Sequence, residues 1–119
     1  MRKTLKKMLG IAVAVCAGTT ILGTAMAQGP CPSWVDARTR YLDYRELGGC
    51  SCWQLEILRN EIYARHGRIF NRDDLQSYFS NQPWYMPDPG NPSGTRGQNR
   101  FEQRNAVVIR EYEKSAGCR

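Results

Sequence analysis

Lysine is nearly absent from the last 92 residues of this chain: beyond residue 27 the only one is Lys114. Twelve arginines carry the positive charge there instead, a planar group suited to bidentate ion pairs and to stacking on aromatic rings. Histidine occurs once, at His66. That excludes a metal centre built on several imidazoles, and the cysteines do not have zinc-ligand spacing. No serine or cysteine lies in a nucleophile motif. Asp73 and Asp74 are adjacent, but successive helical residues diverge by about 100°, so the two carboxylates do not face one another. There is no convincing period-two alternation, which argues against a sheet, and no internal repeat, which excludes a stacked array. Neither a metal nor a cofactor is expected.

The longest apolar run stands at the start. Arg2, Lys3, Lys6 and Lys7 form a basic region, Met8 to Leu22 an apolar one, and Ala25-Met26-Ala27 an A-x-A cleavage site. This is the pattern of a cleavable signal peptide covering residues 1–27, cut near Ala27-Gln28. The apolar run is short for a membrane span, and no later segment is apolar enough for one. Val15 precedes Cys16 where a lipoprotein signal needs a small residue. The expectation is a soluble bacterial protein, periplasmic or secreted, without a transmembrane segment in its mature part. Export also changes the charge. Of 17 Lys+Arg, four leave with the signal; the remaining 13 face 11 Asp+Glu, a net of +2 in place of +6. The basic character therefore belongs mostly to the leader, and nucleic acid is not an expected partner.

Residues 28–119 make one small domain. A chain of this size buries only about 60–65% of its unfolded surface, so its core is thin. Cys31, Cys50, Cys52 and Cys118 compensate: four cysteines in an oxidising compartment imply two disulfides. Closing Cys50 on Cys52 across a single residue would be strained. Cys31 and Cys118 are therefore each expected to reach one of Cys50 and Cys52, with the choice of partner open. Each bridge should contribute about 2–4 kcal/mol.

The spacing of polar and apolar residues predicts a mainly α fold of about three helices with long irregular loops. The central helix is the clearest. Ser51 and Gln54 form a capping box, with Cys50 and Leu55 at the hydrophobic-staple positions. Gly67 supplies a left-handed end, so the helix should run from about Cys52 to His66. Leu55, Leu58 and Ile62 line one face; Trp53, Ile57 and Ala64 line nearly the opposite one. Two apolar stripes imply two sets of neighbours and an interior position. Before it, Ser33 with Asp36 can cap a short helix from Trp34 to Arg40, with Tyr41, Leu42 and Leu47 as anchors onto the core. After it, Asn71 is the expected cap of a helix carrying Leu75, Tyr78 and Phe79 and stopped by Pro83. Trp84-Tyr85 form an aromatic plug. Residues 86–98, with three prolines and three glycines, read as an irregular surface loop. Asn99 with Glu102 opens the last helix, which runs to about Ser115. Phe101, Val108, Ile109 and Tyr112 form its stripe, with Asn105 inside it.

Tyr63-Ala64-Arg65-His66-Gly67 spells the motif of the YARHG domain family. The surroundings also resemble that family: Leu58-Arg59-Asn60-Glu61-Ile62 before the motif, Phe70 after it, then Leu75, Tyr78-Phe79, Trp84-Tyr85 and Glu102-x-x-Asn105. The likeness covers about Leu42 to Glu113. It implies a bacterial extracytoplasmic domain, found alone behind a leader or attached to other envelope proteins. It implies no reaction and so no catalytic residues. The four cysteines depart from the usual pattern as an added staple.

Among the candidate site residues, His66 is first for acid–base work, although a packed imidazole bonding nearby carbonyls at the helix end accounts for it as well. Arg65 forms an i,i+4 pair with Glu61 and is expected to brace the next helix through Asp73 or Asp74. Asn60 and Asn105 each sit at an apolar stripe and must be hydrogen-bonded; they are expected to pin the 80–98 loop. Trp84 and Tyr85, with Trp34, Tyr41 and Tyr44, serve either as core or as a sugar-stacking platform. The binding candidates are thus Arg65, His66, Trp84 and Tyr85. The reading that follows is a non-enzymatic envelope module, binding an envelope protein or cell-wall component through an Arg/aromatic surface near residues 84–98. The alternatives are a small secreted inhibitor of an envelope enzyme, or a hydrolase using His66 with Glu61 or an aspartate.

Overall fold

Polar side chains mark most helix starts in the computed structural model, which describes residues 29–119. The signal-peptide reading of residues 1–27, and Cys16 with it, lies outside the described residues. Helix α1 spans Trp34–Thr39, and Ser33 and Asp36 cap each other's backbone N–H groups. A 3-10 helix follows at Tyr44–Gly49, boxed in the same way by Asp43 and Glu46. Helix α2 spans Cys52–Ala64 behind Ser51 and Gln54. Helix α3 spans Asp73–Ser80. Helix α4 spans Arg100–Ser115 behind Asn99 and Glu102. The fold is thus mainly α, with the short α1 and the 3-10 helix added to the three longer helices.

Helix α2 ends at a left-handed glycine. Gly67 has φ 96°, and the turn closes with Gly67 N–H donating to the Ala64 carbonyl and Arg68 N–H to that of Tyr63, as a Schellman motif requires. Its two stripes face two cores. Leu55, Leu58 and Ile62 pack with Ala37, Leu42, Leu47, Ala106 and Ile109. Ala64 joins Phe70, Leu75 and Phe79, against which Ile57, Tyr78, Trp84 and Tyr85 lean. The central position of α2 follows from this division. Trp53 departs from the expected stripe: it is 44% exposed, in the first turn of α2, with its ring perpendicular to that of Tyr78 at 6.2 Å.

The two disulfides are Cys31–Cys50 and Cys52–Cys118. Both bridges land beside Ser51, so the two ends of the domain are fastened at the start of α2.

Two local expectations need correction, and a third holds with an addition. Asn71 does not cap α3; Arg72 occupies the N-cap position and makes no side-chain cap. Its guanidinium is held instead by Glu56 of α2 and Asp74 of α3, and these pairs set the entry of the chain into the helix. Tyr41 is not buried against the core but 54% exposed, packed on its edge against Phe101; Leu42 and Leu47 are the buried anchors. The 86–98 loop is irregular yet tightly held. Asp88 N–H donates to the Gly67 carbonyl and Ile69 N–H to that of Pro92. A Cβ at Gly94, where φ is +70°, would collide with the Tyr63 carbonyl, so glycine is required for the loop to lie on the end of α2.

Four carboxylates in these caps and pairs have pKa values below their ordinary ones. Glu46 is lowered chiefly by the Arg40 guanidinium and Asp74 by that of Arg72. Asp36 and Asp43 are lowered chiefly by the backbone N–H groups of Ser33 and Arg45. A carboxylate depressed in the folded state stabilises the fold fully above its unfolded value, 3.8 for Asp and 4.5 for Glu, and that contribution is lost as pH falls through the folded value. Thermal unfolding followed by circular dichroism should therefore show Tm declining below the unfolded Glu value, and Glu46→Gln should flatten part of that decline.

Candidate functional site

The motif side chains engage different partners. Arg65 turns toward α1. Its Nε and Nη2 donate to Glu61 Oε2 at 3.0 and 2.8 Å, and its guanidinium lies between two indoles, 4.0 Å from the Trp34 ring centre and 3.7 Å from that of Trp84. A cation held over a partly desolvated aromatic face is worth about 1–2 kcal/mol, and here both faces are occupied. Arg65 thus joins α1, α2 and the segment after α3. It does not brace Asp73 or Asp74. The nearer Arg72 takes Asp74, while the turn at Gly67 leaves Arg65 on the side of α1.

His66 turns toward α4. Its Nε2 lies 3.0 Å from Glu102 Oε2, an oxygen that also accepts the Trp34 indole N–H at 3.4 Å. The other oxygen, Oε1, accepts the Asn99 N–H at 2.9 Å. The residue is only 2% exposed, and a carboxylate removed from water must be partnered in this way. His66 therefore bonds a buried carboxylate and not the backbone carbonyls expected for it. Glu61, the carboxylate considered as its partner, is engaged by Arg65.

The asparagines hold different pieces from those expected. Asn105 is 0% exposed. Its carbonyl accepts the Leu42 N–H, and its amide donates to the Ala37 and Arg40 carbonyls at 2.8 Å each. It therefore fastens the link between α1 and the 3-10 helix, not the 80–98 loop. Asn60 donates to the Glu56 carbonyl one turn back on its own helix and does not pin that loop either. The residue that does so is Asn91, buried and unremarked in the sequence. Its amide donates to the His66 and Arg96 carbonyls, and its own carbonyl accepts the Arg96 N–H. Its only sequence signal is its place in an Asp88-x-x-Asn91 turn, which does not reveal a partner 25 residues away.

The aromatics do not assemble into a platform. Tyr85 donates its hydroxyl to the Arg68 carbonyl and packs near Phe79, as does Trp84. Phe70 stacks on Phe79 at 5.0 Å. Tyr44 lies far along α4, against Tyr112 and the Ser115 hydroxyl. Trp34 and Trp84 each give a ring face to Arg65.

An open cleft of about 370 Å³ lies between α1, α2 and α3, where Trp34, Val35, Trp53, Ile57 and Tyr78 supply apolar wall and Glu61 and Arg65 a charged edge. Val35 is 59% and Trp53 44% exposed. Tyr63 lines a different groove, on the α4 side of α2. Among the described residues no group of three His, Cys, Asp or Glu side chains has metal-binding geometry, and no helix is long and apolar enough to cross a membrane.

Replacing Arg65 by Met keeps the apolar stem but removes the ion pair and both stacks. It should destabilise the domain by about 1–3 kcal/mol in urea unfolding and raise iodide quenching of tryptophan fluorescence. Arg65→Lys should fall between, since an ammonium cannot fill the slot between two indoles as a planar fork does. Asn105→Ala should cost about 2–4 kcal/mol, because three buried backbone groups lose their partner.

No curated protein and no solved structure matches the chain. The YARHG domain matches residues 32–114, from just after Cys31 through nearly all of α4. The chain belongs to the YARHG domain family, a family of extracytoplasmic domains.

Proposed function

We propose that this is a non-enzymatic binding module of the bacterial envelope, carried to the periplasm or the exterior by residues 1–27, and that it engages a protein partner through the cleft between α1, α2 and α3. The carrying observation is the exposure of Trp53 and Val35 beside an apolar hollow, where the other two tryptophans, Trp34 and Trp84, are partly buried. Exposed tryptophan at the rim of a preformed apolar cleft is the composition of a protein-binding hot spot. A protein ligand suits this wall better than a glycan does. Sugar stacking needs open aromatic faces among polar groups, and the Trp34 and Trp84 faces are already covered by Arg65.

The geometry around His66 supports the non-enzymatic reading. Nε2 is engaged by Glu102, and a side chain at position 97 would crowd Nδ1, which Gly97 avoids. No serine, threonine or cysteine bonds the imidazole among the described residues, so the nucleophile–base contact of a covalent hydrolase is missing. The His66–Glu102 pair is accounted for as a joint between α2 and α4.

Val35→Glu and Trp53→Glu place a charge at the cleft without touching either core. Immobilised mature protein carrying wild-type sequence should retain a defined envelope protein at one-to-one stoichiometry, and both variants should lose it. Equal retention by wild type and variants would overturn the assignment of the cleft. Salt-resistant binding to purified sacculi, with no protein retained, would overturn the protein partner. Turnover of an envelope substrate, abolished by His66→Gln with the fold intact, would restore the enzymatic reading.

A further inference from the structure

Helix α2 turns its other flank toward α4. There Arg59, Asn60 and Tyr63 face Ala106, Val107 and Arg110 across a groove of about 510 Å³. The groove continues into a neighbouring hollow of about 350 Å³, which shares Arg59, Asn60, Arg68 and Arg110 with it. Positive charge dominates the pair of hollows. Glu111 and Glu56 are their carboxylate side chains, against six cations that include Lys114 at one end and Arg72 and Arg119 at the other.

Some of these cations are already neutralised. Arg59 is paired with Glu113, its Nε 2.6 Å from Oε1. Arg72 is shared by Glu56 and Asp74. Arg68, Arg110 and Lys114 make no ion pair among the described residues. Arg68 stands at the junction of the two hollows. Its Nη1 donates to the Ser93 carbonyl at 3.2 Å, and its guanidinium is held over the Tyr63 and Phe70 rings, 5.3 Å from each centre. Its Nε, however, is buried with no hydrogen-bond partner, the only side-chain nitrogen or oxygen in that state among the described residues. A buried N–H donor left unpaired costs about 1–3 kcal/mol. An acceptor oxygen in the groove, reached by a small movement of the Arg68 side chain, would remove that cost and meet the charge of Arg110 and Lys114 at the same time.

We propose that this groove is an anion site, and that its ligand is a phosphate group. Donors approach from separate elements: Arg68 from the turn after α2, Arg110 and Lys114 from α4. A tetrahedral dianion presents several oxygens to meet them, where a carboxylate presents two in one plane and a single charge. The planar guanidinium fork of arginine is suited to phosphate recognition. The site shares no residue with the cleft between α1 and α3, so it stands or falls independently of the protein-binding reading.

The test is a ¹⁵N-NMR titration of the disulfide-bonded mature protein at constant ionic strength, with inorganic phosphate in one arm and glycerol phosphate in the other. The expected result is a saturable shift of the Arg68 Nε–Hε signal together with the amides of residues 59–68 and 106–114. Arg110→Gln should weaken binding about tenfold, the loss of one charge-assisted hydrogen bond. Arg104→Gln, which removes the same charge from another face of α4, should leave it unchanged. Arg68→Lys keeps the charge but deletes the Nε donor and should also weaken binding; if that variant fails to fold, the wild-type Nε signal and Arg110→Gln carry the test. Tighter binding of glycerol phosphate assigns the site to an esterified phosphate, and tighter binding of inorganic phosphate to the free ion. Shifts that rise linearly without saturating, or equal losses in Arg104→Gln and Arg110→Gln, would show only general attraction to a basic surface and would overturn the site.

Discussion

The Glu102 carboxylate is the point on which the arrangement of helices depends. It belongs to the capping box of α4, and a capping glutamate needs only to reach back to its own N-cap. Here one oxygen does that while the other binds the Trp34 indole and the His66 imidazole. The beginning of α4, the beginning of α1 and the end of α2 are thereby brought to a single buried anion. Burial of charge in so small a domain is unfavourable unless every lone pair finds a donor, and the three partners come from three separate elements. The angle between α2 and α4 is set at that end by Glu102 and at the other by the Arg59–Glu113 pair and the Cys52–Cys118 bridge.

Once α2 is fixed, its signature residues have little freedom to do anything but join. Arg65 holds α1 and Trp84, His66 holds α4, and Gly67 permits the close return of Asp88. The open hollows consequently lie on either side of the motif, with Arg65 at the edge of one and Tyr63 in the wall of the other. One side offers an apolar cleft rimmed by Trp53 and Val35, the other a groove with unpaired arginine. The motif builds the wall that separates two chemically different surfaces.

Much of the secondary structure was legible because capping is local. Ser33 with Asp36, Ser51 with Gln54 and Asn99 with Glu102 each place donor and acceptor three residues apart, and that spacing is readable without knowing the fold. Asp43 with Glu46 carries the same signal and went unread, since the helix it opens is a 3-10 turn of six residues without an apolar period. Asn71 misled for the opposite reason: a good local cap lost to Arg72, whose ion pair with Glu56 spans 16 residues. The site was less legible, because its contacts are not local. Asn105 reaches the chain 63 to 68 residues away, and His66 meets Glu102 at a separation of 36. Residue type announced that these groups would be bonded, but not to what.

The placement of the bridges bears on how the domain withstands attack. Cys52 and Cys118 enclose a loop of 66 residues, and that loop contains α3 and the whole Pro/Gly-rich segment from 86 to 98. A protease that nicks the backbone once anywhere in that stretch does not release a fragment. Both halves stay covalently tethered, and the contacts of Asn91, Gly94 and Glu102 can keep the nicked chain in register. Resistance to a single cut is thus built into the topology of the crosslink, apart from whatever it adds to the folding equilibrium.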